Sequence, residues 1–544
     1  MNIQIINDQA YNWQAEKVNK SQVFFKGFLW VDDILLEPSE VSHKLTELFE
    51  RNNARGCSEA ELKEVLSRLT GHFSFILDSP DFTLVVVDKI RSQPIYYSVK
   101  TAILYVSNSA SKLQTVAGVH EKYPDSVLEF EMAGYTIGRK TLYKDLFQLQ
   151  AGEFLIFDKR TGEIKLDRYY RFWSDEKSEK SDKDLLSELG QVVNKTFSKM
   201  IQSLQGAPVC VPLSGGLDSR FILAMFKEFN YDNLFTYTYG VKGLWEVKRA
   251  KYIADSLDVK WHYIEFDPKE TKKLFHSLDR EKYYGFAGGL NSIPHLAEYY
   301  ALLRLKEEQL VPENAVIING QTGDFLTGGH IPKTVLTQNT TVHDLVSDII
   351  DKHFSLWTNL KTVENRDILS RNIRKALNLT GDGKLSKERF ANHFETFEWQ
   401  ERQAKYVTNG QRAYEWLGYG WRLPLWSDEL MEFWQKIDWE RKFSQRLYKK
   451  FLNEKNLCGL FKTKLPREYS YMPFWVKVFR GSVAGLGLLL TKDFSPISSK
   501  YSRYFMTYAP FYPQTSYRAY LRDSKWHRSP VSYWVKHYLR EVAK

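Results

Sequence analysis

The chain has 544 residues, 43% hydrophobic and 26% charged, which excludes a disordered or fibrous polymer and fits a soluble globular protein of two to four domains. Lysine and arginine number 76 against 66 acids, and the resulting pI near 9.0 favours anionic partners without specifying a fold. Three scattered cysteines, Cys57, Cys210 and Cys458, support neither a disulfide framework nor a zinc site and point to a reducing cytoplasm.

The first ten residues lack the pattern of a signal peptide, and the longest apolar stretch, 483–490, is far shorter than the roughly 20 residues of a membrane span. Up to about residue 173 the pattern is strand-rich. Short β-branched or aromatic runs at 23–30, 73–77, 82–87, 94–97 and 103–106 predict strands, separated by turn residues such as Ser79-Pro80-Asp81. Ser58, with Glu61 three residues on, is a capping-box start for a helix over 58–69. Runs at 142–149 and 153–157 are two more strand candidates around Ala151-Gly152. The run 174–183 has no apolar residue and reads as a solvated linker, dividing the chain into 1–173, 174–184 and 185–544. Beyond it, 185–204 has helical spacing. Strand runs at 208–211, 234–239, 261–266 and 315–318 alternate with helical runs at 221–229 and 246–257. This alternation predicts an α/β domain with a doubly wound parallel sheet, followed from about 340 by a mostly helical part.

Between the strand run 208–211 and the helical run 221–229 lies Pro212-Leu213-Ser214-Gly215-Gly216-Leu217-Asp218-Ser219-Arg220. A glycine-rich turn at this place gathers backbone N–H groups and the positive end of a helix dipole into a cradle for anionic oxygens. Two glycines let a phosphate approach the main chain, and Ser214 and Ser219 add hydroxyl donors. Asp218 repels phosphate, so its natural role is to hold a divalent cation that the phosphates share.

Two further stretches follow in order: Asn319-Gly320-Gln321-Thr322-Gly323-Asp324-Phe325-Leu326-Thr327-Gly328-Gly329-His330, and Arg422-Leu423-Pro424-Leu425 with Glu429 to Phe433 after it. Upstream stand Gly71-His72-Phe73-Ser74-Phe75, the segment 88–97, Thr141-Leu142-Tyr143 and Ala151-Gly152. Taken together and in this order, they resemble the asparagine synthetase family over about residues 20–435. The first stretch is similar to that family's pyrophosphate loop. The second matches its Ser-Gly-Glu-Gly-Ser-Asp-Glu-Leu-Phe-Gly-Gly-Tyr stretch at Gly320, Asp324, Leu326, Gly328 and Gly329. The resemblance implies an α+β N-terminal glutaminase-like (Ntn-type) sandwich, then a synthetase domain that adenylates a carboxylate with ATP and lets a nitrogen nucleophile displace AMP. It also implies Mg²⁺ shared by Asp218 and Asp324, and phosphates on Ser214, Gly215, Gly216 and Ser219. The adenine pocket would run along the main chain near Leu213 and 237–240, Tyr239 included, with Gly320 beside the acyl adenylate. Glu246 lies where relatives often carry an acid.

The chain departs from the family pattern in several places. Position 2 is Asn2 where the family's glutaminase needs a cysteine, and Cys57 at a helix start reads as incidental, so glutamine hydrolysis by the usual route is not expected. Gln321 replaces an acid or tyrosine near the acyl carbon and cannot act as a general base. Gly420 stands in place of the glutamate before the Arg-x-Pro stretch, leaving Glu415 as a shifted candidate, and Phe325 replaces a second acid beside Asp324. The family's late lysine corresponds to Lys464 or Arg467, with the spacing to Pro473 favouring Arg467. His330, where relatives carry tyrosine, is a proton shuttle or a packing residue. The expected function is therefore an amide-bond-forming ligase without its own glutaminase. In lacking the cysteine it resembles the branch that amidates surface-polysaccharide sugars, closes β-lactams or macrocyclises peptides. Its substrates would be a small-molecule, sugar-acid or peptide carboxylate and ammonia or an amine. Glutamine-hydrolysing asparagine synthase in the strict sense, a nucleotide-binding scaffold and an RNA-modifying pyrophosphate-loop enzyme are the alternatives. No nucleic-acid partner is expected, and a homodimer and a peripheral membrane contact through the basic run 518–544 stay open.

Overall fold

The computed structural model describes residues 1–51, 58–241, 245–463, 478, 482, 504 and 511–542. Cys57, Lys464, Arg467 and the apolar run 483–490 lie outside the described residues. Among the described residues no helix is long and apolar enough to cross a membrane.

The strand-rich part holds two sheets. The larger runs in the order Ile164–Arg168, Glu153–Asp158, Phe82–Val87, Leu69–Asp78, Ser21–Val31 and Gln14–Val18, with every neighbouring pair antiparallel. The smaller runs Asn2–Ile6, Ile103–Ser107, Tyr96–Lys100 and Phe147–Gln148, and its first pair is parallel. Phe82–Val87 is buried along its whole length, because alternate side chains enter two different cores. Leu84 and Val86 join Leu45, Phe49, Leu62 and Leu66 of the helices Pro38–Arg51 and Glu59–Ser67. Val85 and Val87 join Leu104 and Val106 of the smaller sheet. A strand covered on both faces reads as a continuous apolar run. The capping box at Ser58 forms: the Ser58 Oγ accepts from the Glu61 N–H, and the Glu61 carboxylate accepts from the Ser58 N–H at 2.7 Å.

One strand expectation changes. Of 142–149 only Phe147–Gln148 is a strand. The Thr141 hydroxyl donates to the Leu146 carbonyl at 2.9 Å and Asp145 takes φ 60°, closing a turn where a strand was expected. The polar run 174–183 is docked on the second part of the chain. The Lys177 ammonium donates to Asn392 and to the Gln435 carbonyl at 2.9 and 2.8 Å, and Ser181 caps the helix Asp182–Gln202.

The second part is built on a five-stranded, all-parallel sheet in the order Lys260–Glu265, Leu234–Gly240, Val209–Pro212, Val316–Ile318, Gly420–Arg422. Gly420–Arg422 is a three-residue edge strand inside the stretch expected to be helical. The helices Leu217–Glu228 and Trp245–Ser256 connect the first three strands in the alternating pattern of a doubly wound sheet. The helix Lys387–Phe397 runs on into a π-helix, Glu398–Val407, a rare form that tends to mark functional sites. The carboxyl-terminal helix Val531–Glu541 lies against Pro124–Ala133 of the strand-rich part, with Tyr538 stacked on Phe130 at 5.2 Å.

Candidate active-site cleft

Val209–Pro212 occupies the centre of the parallel sheet. The chain runs from it to one neighbour and later returns on the other side to Val316–Ile318, so a crevice opens at the carboxyl ends of these strands. Counted out through its open mouth, the crevice holds about 1080 Å³ of space. Its wall includes Leu213, Ser214, Gly216, Asp218, Ser219, Tyr239, Gly320 and Gln321, all named from the sequence. Gly215 lies just outside this wall, where a Cβ would meet Trp245 at 2.8 Å and Arg249 at 3.0 Å. The helix Leu217–Glu228 opens at Gly216 with no side-chain cap, leaving its first N–H groups directed at the crevice.

The loop holds its own shape. The Ser214 N–H donates to Ser219 Oγ at 3.0 Å, the two hydroxyls lie 3.0 Å apart, and the Gly216 N–H donates to Ser214 Oγ at 3.1 Å. Leu213 is tied into the sheet at both ends: its N–H donates to the Tyr237 carbonyl at 2.8 Å, and its carbonyl accepts from Thr238 Oγ1 at 2.7 Å. The N–H is thereby committed to the sheet, while the carbonyl keeps a second lone pair. Tyr239 stacks between Tyr237 and Phe266 at 6.3 and 5.6 Å.

Asp218 and Asp324 sit in the first turns of the helices Leu217–Glu228 and Gly323–Leu326, which follow two adjacent strands. The approach is close enough that a Cβ on Gly323 would fall 2.7 Å from Asp218 Cγ, and one on Gly320 3.2 Å from the Asp218 main chain. A side chain at position 323 would have to push aside the Asp218 carboxylate and the Leu425 methyl. Burial, with the charge of Asp324 second, pushes the Asp218 carboxyl up to about 7, while Tyr448 Oη donates to it at 3.1 Å. Asp324 moves the other way. Burial opposes its ionisation, but His330 Nε2 at 3.0 Å and the Phe325 N–H hold it below the usual carboxylate range. His330 also meets buried Glu398 at 3.1 Å, and the two acids outweigh burial to raise its pKa to about 9. A half-buried carboxylate, Asp218, destabilised by the more exposed Asp324 beside a glycine-serine turn has the chemistry of a divalent-cation site, so the residues fit Mg²⁺.

Behind the crevice runs a polar chain. Gln411 donates to Gln321 Oε1 at 2.6 Å, and the Gln321 N–H donates to Asn319 Oδ1 at 2.9 Å. Asn319 donates to Tyr414 Oη at 2.6 Å, and Tyr414 and Tyr237 both donate to Glu298 Oε1, at 2.8 and 2.7 Å. Glu298 is buried on the crevice wall, and burial raises its pKa although the two phenols oppose the shift. Glu246 lies on the same wall.

Glu415 is not brought to this crevice. It is buried where the two parts of the chain meet, with Arg412 at 2.7 Å, Lys26 at 3.4 Å, Gln93 at 3.0 Å and the Trp421 indole at 2.9 Å. Arg422 is likewise at the junction, bonded to Ser203 and lying over the Phe28 ring at 4.0 Å. Sequence reasoning missed Tyr448, Glu298 and Glu398. Each is an ordinary residue in a helical stretch, and no local spacing marks it.

The fold defines a parallel-sheet α/β part with a crevice at its switch point, a glycine-serine loop on the crevice wall and the pair Asp218 and Asp324 close by. Residues 198–470 match the family described as asparagine synthase, and the chain belongs to that family. It is 24% identical over 251 residues to the putative asparagine synthetase [glutamine-hydrolyzing] 2 of Methanocaldococcus jannaschii, an alignment covering 45% of this chain and 46% of the relative. The chain thus matches about half the length of that curated relative. Among solved structures, the glutamine phosphoribosylpyrophosphate amidotransferase from B. subtilis complexed with ADP and GMP aligns at 10% identity and a TM-score of 0.16, over 56% of this chain and 62% of that one. The structure described as the allosteric regulatory enzyme of purine biosynthesis aligns at 11% identity and a TM-score of 0.17, over 56% and 55%. At such scores neither likeness adds to the fold described above.

Proposed function

We propose that this protein is an ATP-dependent carbon–nitrogen ligase that adenylates a substrate carboxylate, releases pyrophosphate and couples the acyl group to ammonia or an amine. The reading rests above all on Asp218 and Asp324 converging beside the Ser214–Ser219 loop at the switch point of the sheet. Ser214, Gly216, Ser219 and the amino end of Leu217–Glu228 bind the polyphosphate. Asp218 and Asp324 would hold Mg²⁺, which, when bound, supplies positive charge to the leaving pyrophosphate. Gly320 leaves room for the acyl adenylate against the backbone. Gln321 orients the acyl group through its amide, itself positioned by Gln411 and Asn319. Glu298, held by two phenols, is the wall carboxylate that takes the proton of the incoming nitrogen nucleophile.

The two sheets of the strand-rich part, about residues 1–173, support reading it as glutaminase-like. Residues 1–56 contain no cysteine, so we read it as a scaffold and the nitrogen donor as free ammonia or an amine. A cytoplasmic setting and a substrate other than nucleic acid accompany this reading. Exchange of labelled pyrophosphate into ATP, measured against panels of small-molecule, sugar-acid and peptide carboxylates, tests it. Carboxylate-dependent exchange is expected, with Asp218→Asn lowering it by a factor on the order of 100 or more. Absence of exchange with every panel, together with unchanged MgATP binding in Asp218→Asn, would overturn the assignment.

A further inference from the structure

His330 closes the glycine-rich stretch 319–330, and its imidazole bridges two carboxylates in unlike surroundings. Nε2 lies 3.0 Å from Oδ2 of Asp324, whose side chain is 57% exposed. Nδ1 lies 3.1 Å from Oε2 of Glu398, the fully buried first residue of the π-helix Glu398–Val407. That second contact is a close ion pair off the alignment of a hydrogen bond. The His330 carbonyl accepts from the Lys352 ammonium at 3.1 Å, so the residue is held by its main chain as well as by its ring.

Neither acid needs this bridge to offset its charge. Asp324 is open to solvent. Glu398 has Lys352 at 2.5 Å and Arg402 at 3.9 Å, two cations against one carboxylate. His353 at 3.0 Å and the Gln403 amide at 3.4 Å complete its surroundings. What the bridge adds is geometry. Asp324 Oδ1 accepts from the Phe325 N–H at 2.8 Å and Oδ2 meets the imidazole, so rotation of the carboxylate breaks a contact at either oxygen. Asp218 has a counterpart, since Tyr448 of the helix Arg446–Lys455 donates to its Oδ1 at 3.1 Å. Carboxylates that bind a cation are themselves held by hydrogen-bonding partners, and losing such a partner costs about 10–100-fold in metal affinity.

We propose that Glu398 and His330 are positioning residues for the cation site: the anchored Glu398 orients the imidazole, and the imidazole fixes the Asp324 carboxylate beside Asp218. The inference rests on the reading of Asp218 and Asp324 as the acids that hold Mg²⁺. It gives the π-helix a task, because its first residue is the anchor. It also assigns His330 to geometry, in place of proton transfer or packing.

Mn²⁺ serves as the probe, added alone to the full chain and followed by the electron paramagnetic resonance of the free ion. His330→Ala is expected to weaken Mn²⁺ binding about tenfold or more with an unchanged circular dichroism spectrum. His330→Gln, whose amide can donate to Asp324, is expected to stay within about threefold of the wild type. Glu398→Gln is expected to weaken binding in the wild-type background and to add nothing in the His330→Ala background, because its effect passes through the ring. A packing role would lower the urea midpoint of His330→Ala and leave the Mn²⁺ affinity of the folded protein as it was. Affinity of folded His330→Ala equal to that of the wild type, or of His330→Gln, overturns the proposal, and so does full additivity of the two substitutions. Where Glu398→Gln does not fold, the two His330 variants decide alone. Asp218→Asn tests the underlying reading separately: Mn²⁺ affinity unchanged there means that the acid pair holds no cation.

Discussion

His72 and His295 show at the residue scale what burial does to a titratable group that no acid rescues. Each has one ring nitrogen against a carbonyl, of Trp426 and of Tyr406, and burial lowers the pKa of both to about 4. The unfolded chain binds protons at these sites from about pH 6.5 downward while the native state does not. Their contribution to stability is therefore complete above about 6.5 and is lost as the pH falls toward 4. Urea unfolding at pH 7, 6, 5 and 4.5 is expected to show this decline, and His295→Gln to flatten it by up to about 1.4 kcal/mol per pH unit. His330, with Asp324 and Glu398 on its two nitrogens, goes the other way, and no sequence pattern distinguishes the two cases. Glu298 is also a residue-scale matter. If it takes the proton of the nucleophile, Glu298→Gln should keep carboxylate-dependent pyrophosphate exchange and lower amide formation at least tenfold, both measured on the same preparation. Equal loss of the two reactions would make Glu298 a packing residue.

The loop and the short helix Gly323–Leu326 carry the argument at the scale of elements. The Ser-Gly-Gly-x-Asp-Ser spacing made the loop legible, because several of its residues serve a local geometry: hydroxyls bonded to main chain, a glycine opening the helix, a helix beginning at Leu217. Gly323 is legible only in three dimensions, since what it avoids is Asp218. Gly323→Ala is expected to displace that carboxylate and reduce exchange on the order of a hundredfold with the circular dichroism spectrum unchanged. Wild-type exchange in that variant would show that the acid pair tolerates movement. Strand reading succeeded where burial on both faces left an unbroken apolar run, as in Phe82–Val87. It failed at 142–149, where a threonine hydroxyl closes a turn within an apolar stretch, and at Gly420–Arg422, too short to carry a period.

At the scale of the whole molecule, the strand-rich part and the parallel-sheet part are joined by buried polar contacts. Glu415 meets Lys26 and Arg412, Lys89 meets Asp428 at 2.8 Å, and the Trp399 indole donates to the Lys89 carbonyl at 2.8 Å. Gln150 donates to Glu401 at 3.1 Å, and fully buried Lys405 reaches the carbonyls of Thr136 and Gly138 from the π-helix. Removing one member of such a set strands the others as uncompensated charges, which costs about 3–5 kcal/mol. Glu415→Ala is thus expected to lower stability by that amount, read from chemical denaturation, with pyrophosphate exchange per folded molecule retained. A calorimetric scan of the wild type should give one main transition. Two well-separated transitions would mean that these contacts do not couple the parts.

The sequence by itself determined the alternation that builds the parallel sheet, the glycine-serine turn Ser214–Ser219 between a strand and a helix, and the motif order that places the chain in its family. These are local properties, written in spacing and residue type. Which acids share the crevice, that Glu415 locks a junction and lines no part of the crevice, and that Glu398 backs His330 against Asp324 were decided only by the tertiary structure. Those residues stand far apart along the chain, and their meaning arises from the low-dielectric space they enclose together. Charge, burial and hydrogen-bond supply act there across elements that no sequence window spans.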